Sequence, residues 1–303
     1  MGEIREITSG LGFPEGPVWM PDGSIVLTEI RRGTITRVTA DGRKTVLAET
    51  GGGPNGAAVG PDGKLYVCNN GGFEWHELNG LVLPGNQPAS YIGGRIQRVD
   101  LDTGKVEDLY TECDRHPLRG PNDIVFDASG GFWFTDFGKT RERDRDRTGV
   151  YYAKPDGSLI REVVFPLDGP NGIGLSPDGK RLYVAETFTG RLWSWDVSAP
   201  GEVVPVPGIG GGGNLVVGLP GMQLFDSLAV DSAGNVCVAT IANGGITVVP
   251  PAGEPVTHVP MPDVLTTNIC FGGPDLRTAF ITLSSTGRLV ATEWPRPGLK
   301  LAF

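Results

Sequence analysis

The sequence predicts an all-β chain folded as a six-bladed β-propeller whose last blade takes strands from both ends of the chain. Three observations predict it. An acidic or amide residue opens an apolar segment six times, at Glu15, Asn55, Asn122, Asn171, Asp226 and Asn268. A turn position follows each opener at the same distance, at Asp22, Asp62, Ser129, Asp178, Ala233 and Asp275. After each turn comes a second strand rich in Val, Leu, Tyr, Phe or Trp. Units this short cannot bury an apolar face alone, and stacking them around an axis solves the problem.

Each element follows from local chemistry. The pairs Asp22-Gly23, Asp62-Gly63, Gly130-Gly131 and Asp178-Gly179 are hairpin turns, because Gly supplies the positive φ that tight turns need. Further strands begin at or near a glycine, as in GTITRVT, GRIQRVDL, GVYYAKP, GRLWSWDV and GITVVPP. No segment carries helical periodicity. With 47 Gly and 25 Pro in 303 residues, the composition suits many short strands in one domain spanning 1–303. Open sheet edges invite aggregation, so the ring should close on itself. REITSG near the start and GRLVATEW or LKLAF near the end are the candidate closing strands.

Two segments interrupt the regular spacing. Residues 71–93 form a long insertion after the second strand of the second repeat. The region around 201–222 contains GIGGGG, which matches a phosphate-loop pattern formally but precedes NLVVG rather than a helix, so a loop is expected. RERDRDR at 141–147 alternates in sign and reads as a solvated hairpin tip. The four cysteines lack CxxC spacing and read as buried small hydrophobes.

Charge and composition exclude several functions. A net charge of −9 argues against nucleic acid and anionic membranes as partners. No apolar run reaches the roughly 20 residues needed to span a bilayer. MGEIREITSG lacks the apolar core of a signal peptide, so the expected location is cytoplasmic. GLSPD at 174–178 lacks the GxSxG elbow of serine hydrolases.

In a propeller the first strand of each blade lines the axis, so the six openers should converge at one mouth. A second set, Glu29, Asn69, Asp136, Glu186, Thr240 and Thr282, should stand near them at the ends of the second strands. Convergent carboxylates repel unless a cation lies between them. Two carboxylates with several amide oxygens suit a hard divalent ion, Ca²⁺ first, with Zn²⁺, Mn²⁺, Mg²⁺ and Fe²⁺ as alternatives. The competing reading is that these side chains only cap turns and start strands.

The motifs FPEGPVW at 13–19, GPNDIVFD and FWFTD within 120–136, GPNGIGLSPDGKRLYVAET at 169–187 and FDSLAVDSAGN at 225–235 resemble the regucalcin/gluconolactonase family of six-bladed propellers. That resemblance implies a metal held by Glu15, Asn171 and Asp226, with Asn122 as a fourth ligand or a substrate contact. It implies a metal-dependent lactonase in which the cation activates a lactone carbonyl and Asp226, or else Glu15, draws a proton from water. The expected partner is a small lactone, and the expected state a monomer or weak homo-oligomer. Asp136 and Glu186 are expected to fix the ligands or to bind substrate hydroxyls. The chain departs from the family where an Arg is usual, holding Gly120 with Arg119 beside it. The insertion and the segment 112–120 should bring Phe73, Trp75, His76, Tyr91 and His116 close to the mouth as a lid with an aromatic lining, and Arg119, His76, Trp75 and Tyr91 are expected to contact the substrate. Two other readings stand beside this one: a phosphotriesterase of the diisopropyl fluorophosphatase type on the same site, and a non-catalytic interaction platform.

Overall fold

A computed structural model describes residues 2–208, 211–251 and 254–303. The strands assemble into six antiparallel sheets arranged as blades around an axis. Blade 1 comprises Pro14–Trp19, Ile25–Glu29, Thr34–Val38 and Lys44–Glu49. Blade 2 comprises Pro54–Val59, Leu65–Asn69, Arg95–Val99 and Val106–Tyr110. Blade 3 runs Pro121–Phe126, Phe132–Asp136, Thr148–Ala153 and Ile160–Leu167.

Blade 4 holds Pro170–Leu175, Arg181–Glu186 and Arg191–Ala199, and two short strands, Glu202–Val204 and Asn214–Gly218, share its outer edge. Blade 5 holds Leu224–Val230, Val236–Ile241, Gly245–Val249 and Thr257–Pro260. Blade 6 takes Thr266–Gly272, Thr278–Leu283 and Arg288–Glu293 from the end of the chain and Arg5–Thr8 from its start. The region 201–222 is therefore partly strand, although Ile209 and Gly210 of GIGGGG lie outside the described residues.

Closure follows the expected principle and uses two of the three expected pieces, REITSG and GRLVATEW. Arg5 pairs with Ala291 and Glu6 with Val290. LKLAF forms no strand; it crosses the far end of the axis. Asp231 bridges Gly298, the Leu299 N–H donates to the Val230 carbonyl at 2.9 Å, and Phe303 packs edge-on against Phe126 at 5.9 Å. These contacts span the turn ends of blades 5 and 3, opposite the openers.

The core is divided among the blade interfaces. Val26 and Val67 meet between blades 1 and 2, Tyr66 and Phe132 between 2 and 3, Trp133 and Val184 between 3 and 4. Tyr183 and Val238 fill the interface of blades 4 and 5, Ala239 and Ile281 that of 5 and 6, Leu27 and Leu289 that of 6 and 1. Fully burying such side chains stabilises by about 1.5–3 kcal/mol each. All four cysteines are free thiols; three are buried and Cys270 is half-buried. No helix occurs among the described residues, and so none is long and apolar enough to cross a membrane.

One irregularity recurs at every opener. The pairing of first and second strands slips between Glu15 and Val18, Pro54 and Ala57, Pro121 and Ile124, Pro170 and Ile173, Phe225 and Leu228, and Thr266 and Asn268. A bulge re-aims side chains out of the sheet's alternation. Here it turns each opener toward the axis. The close approach it creates demands small residues. A Cβ on Gly16, whose φ is 48°, would lie 2.4 Å from the Asn55 carbonyl, and one on Gly172 would lie 2.6 Å from that of Asp226.

Candidate metal and active site

Hydroxyls at the ends of the second strands, or one residue past them, tie neighbouring blades together at the level of the openers. Thr28 donates to the Asn55 carbonyl at 2.7 Å, Thr135 to that of Asn171 at 2.5 Å, and Thr187 to that of Phe225 at 2.6 Å. Ser284 closes the ring by donating to the Pro14 carbonyl at 2.5 Å. These bonds fix the radius at which the openers stand.

Five of the six openers are buried, and Asp226 keeps partial exposure. Glu15 accepts on Oε2 from Gly16 N–H and from the Asn268 amide, both at 2.7 Å. Burial pushes the Glu15 carboxyl above its ordinary range, and these donors only partly oppose that. Burial pushes Asp226 well above its ordinary value, with the field of Glu15 adding to it and the Asn171 amide opposing. The field of Glu15 thus reaches Asp226, as like charges brought together at one end of the axis require.

The amides complete the set. Asn171 donates from Nδ2 to the Thr187 hydroxyl at 3.1 Å, which leaves Oδ1 with only a 3.4 Å contact from the Ser227 hydroxyl. Asn122 Oδ1 is buried and has no hydrogen-bond partner at all. An orphaned acceptor in a protein interior costs about 1–3 kcal/mol unless something positive meets it. Among the described residues no three His, Cys, Asp or Glu side chains form a metal-binding group by themselves. Any cation here depends on amide oxygens, as a hard ion permits.

Asp123, which sequence reading passed over, lies in the same place. Its Oδ1 accepts from Ile124 N–H at 2.9 Å, and its Oδ2 accepts from Ile173 N–H of blade 4 at 3.3 Å. Burial, with the field of Glu15 added, pushes its carboxyl up to about 7. The signal was present in the sequence: the equivalent positions hold Gly16, Gly56, Gly172, Ser227 and Ile269, so an acid there stands out.

Asp136 and Glu186, expected among the ligand-fixing or substrate-binding groups, have their oxygens engaged by loops. Asp136 accepts from the backbone N–H groups of Arg119 and Gly120 at 2.7 Å and Gly138 at 2.9 Å. Glu186 accepts from Asp168 N–H at 2.7 Å, from the Trp193 indole at 3.0 Å and from the Thr189 hydroxyl. Glu29 serves Gly12, Arg32 and Thr36 in the same manner. In each case the carboxylate holds the segment that leads into its own blade's opener.

The insertion 71–93 is a collar around half of the mouth. Its hairpin, Trp75–Leu78 against Leu81–Pro84, reaches over blade 1 to blade 6. There Val82 N–H donates to the Ser285 carbonyl at 2.9 Å, Glu77 pairs with Arg31 at 2.7 Å, and Trp75 packs on Phe13 at 5.0 Å. In the other direction Gln87 N–H donates to the Thr140 carbonyl at 2.8 Å, and the Tyr91 hydroxyl donates to the Arg119 carbonyl at 2.6 Å. Phe73, Trp75 and Tyr91 are half-buried, whereas His76 and the Arg119 side chain are exposed. His116 is exposed on a two-residue hairpin that touches the outer strand of blade 3.

Comparison with known proteins gives the family and agrees with the fold. A lactonase drp35 from Staphylococcus haemolyticus is 30% identical over 251 residues, covering 82% of this chain and 69% of its own. A gluconolactonase from Zymomonas mobilis is 27% identical over 321 residues, covering 96% and 81%. Among solved structures, a Xanthomonas campestris gluconolactonase superposes with a TM-score of 0.76 at 23% identity, covering 97% of this chain and 90% of its own. A calcium-binding regucalcin from Agrobacterium tumefaciens superposes at 0.75 and 19% identity, covering 99% and 98%. The profile of the SMP-30/gluconolactonase/LRE-like region matches residues 13–285, so the chain belongs to that family.

Proposed function

We propose that the protein is a divalent-cation-dependent lactonase, with Glu15, Asn122, Asn171 and Asp226 holding the ion. The observation that carries this reading is the buried, partnerless Asn122 Oδ1 at the mouth where the field of Glu15 acts on Asp226. The names of the relatives, a lactonase and a gluconolactonase, support the reaction, and the calcium-binding neighbour supports the ion. Six packed interfaces support one domain as the working unit.

A bound divalent cation supplies Lewis acidity toward the lactone carbonyl and offsets the repulsion between Glu15 and Asp226. Asp226 serves as the general base. It keeps partial exposure, whereas one Glu15 oxygen is tied to Gly16 N–H and the Asn268 amide. Asp226 takes a proton from water as the water oxygen bonds to the carbonyl carbon. It returns that proton to the ring oxygen as the acyl–oxygen bond breaks, leaving a hydroxy acid. Asn122 and Asn171 orient the carbonyl, and the collar aromatics cover one side of the ring.

The test is a panel of aldonolactones, aromatic lactones and a fluorophosphate, run on metal-stripped protein reloaded separately with Ca²⁺, Zn²⁺, Mn²⁺, Mg²⁺ and Fe²⁺. Lactone turnover that appears only with an ion supports the proposal. Fluorophosphate turnover without lactone turnover replaces it with the phosphotriesterase. A protein that binds no divalent ion and turns over nothing is an interaction platform.

A further inference from the structure

The collar rests on a lysine that the reaction does not use. Lys139 lies in the loop leaving the second strand of blade 3 and is 2% exposed. Its backbone is pinned there, since its N–H donates to Asp146 Oδ2 and its carbonyl accepts from Asp146 N–H, both at 3.0 Å. Its ammonium reaches away from blade 3. Nζ donates to the Gly72 carbonyl at 2.6 Å and to Asn70 Oδ1 at 3.4 Å. It stands 4.1 Å from the Phe73 ring centre and 5.6 Å from that of Tyr91. All four partners belong to the collar or to its root.

The charged groups around it are engaged elsewhere. Asp136 accepts from three backbone N–H groups, and Asp146 pairs with Arg141 at 2.8 Å. The Arg119 side chain points to solvent, and the Tyr91 hydroxyl is spent on the Arg119 carbonyl. Among the described residues no carboxylate is close enough to form an ion pair with Nζ. A buried ammonium held by one carbonyl, one amide and two ring faces is an uncommon arrangement, because burying an unpaired charge is costly.

We propose that Lys139 is a positioning residue that seats the 71–93 collar against blade 3 and so sets Phe73, Trp75 and Tyr91 over the mouth. Seating also moves a proton. With the collar in place, burial pulls Lys139 down to about 7, and the fields of Asp136 and Asp146 only partly restore it. With the collar lifted, the solvated amine returns to its ordinary value near ~10.4. The seated state therefore binds fewer protons between those limits. Its stability is flat below pH ~7, rises by up to about tenfold per pH unit above it, and levels off near ~10.4.

The test is amide hydrogen exchange on the intact protein, following the fragment over 71–93 from pH 6 to 9 after correction for intrinsic exchange rates. In the wild type, protection of the Glu74, Gly85 and Gln87 amides should be flat from pH 6 to 7 and climb above 7. Lys139→Met carries no titrating proton and leaves the Gly72 carbonyl and Asn70 Oδ1 without their donor, so it should show no climb, exchange those amides on the order of tenfold faster than wild type at pH 9, and leave the inner strands unchanged. Protection in Lys139→Met within twofold of wild type at pH 9, or a climb that persists in it, overturns the proposal. So does a flat wild-type profile, which needs no variant to fold. Kinetics supply the functional readout and rest on the lactonase reading: KM for a lactone should rise several-fold at nearly constant kcat. If no lactone is turned over at all, the hydrolase reading fails while the exchange result still decides the role of Lys139.

Discussion

Replacing Asp136 with Asn tests whether the second-strand carboxylates hold the opener-bearing strands in place. Asp136 Oδ1 accepts from Gly120 and Gly138 N–H, and Oδ2 from Arg119 N–H. An asparagine oxygen can keep the first pair, but its NH₂ then faces the Arg119 N–H. One charge-assisted bond is lost, about 1.5–3 kcal/mol, and one donor is left facing another, about 1–3 kcal/mol. Relief of a buried charge offsets part of this, since burial already pushes the Asp136 carboxyl above its ordinary range. The net expectation is about 2–4 kcal/mol of lost stability. Gly120 and Pro121 lead directly into Asn122, so cation affinity should also fall by about 10–100-fold. Urea unfolding in chelator measures the first quantity without metal stabilisation, and calorimetric Ca²⁺ titration measures the second. Asp156→Asn in an exposed turn is the control. If Asp136→Asn unfolds within about 1 kcal/mol of wild type and binds Ca²⁺ equally well, the loop-holding role is refuted.

Three further outcomes follow from the same geometry. Asp226→Asn should abolish lactone turnover and keep the circular dichroism and melting behaviour of the fold; activity within tenfold of wild type rejects Asp226 as base. Asn122→Leu removes a partnerless buried oxygen, so metal-free stability should hold or rise by about 1–2 kcal/mol while Ca²⁺ affinity drops at least about tenfold. A large loss of metal-free stability would instead make Asn122 a structural residue. Burial raises Glu15, Asp123 and Asp226 in the metal-free protein, Asp123 to about 7. A raised carboxyl favours the fold below its ordinary pKa and loses that contribution as pH rises through the folded value. Melting in chelator should therefore occur at a lower temperature at pH 7 than at pH 5, and saturating Ca²⁺ at pH 6 should release protons. A melting temperature that increases from pH 5 to 7 in chelator would contradict this.

Much of the site was legible because each blade runs the same local program. The openers share a repeat position, and the slip in strand pairing turns that position toward the axis in every blade. Asp123 was harder to see, since it stands one residue past the repeat position, where the bulge directs it along the axis to the N–H of Ile173. Asp136 and Glu186 occupy their expected strand ends, but loop N–H groups compete for their oxygens, and strand periodicity does not report loop paths. The pattern of LKLAF resembles a strand, yet Arg5–Thr8 already occupies the open edge of blade 6.

Repetition in the sequence determined the number of blades, the identity of the openers and the presence of oxygen donors on every inner strand, because these depend on short-range patterning that each unit carries for itself. Contacts between residues far apart in the chain decided the rest. Glu15 meets Asn268 across 253 positions, the collar arches from blade 3 to blade 6 through Thr140 and Ser285, and Lys139 seats itself beneath Gly72 and Phe73. The Asn268 and Ser285 contacts depend on ring closure, which brings the last blade against the first, and the Thr140 and Lys139 contacts depend on the packing of blade 3 beside the insertion of blade 2.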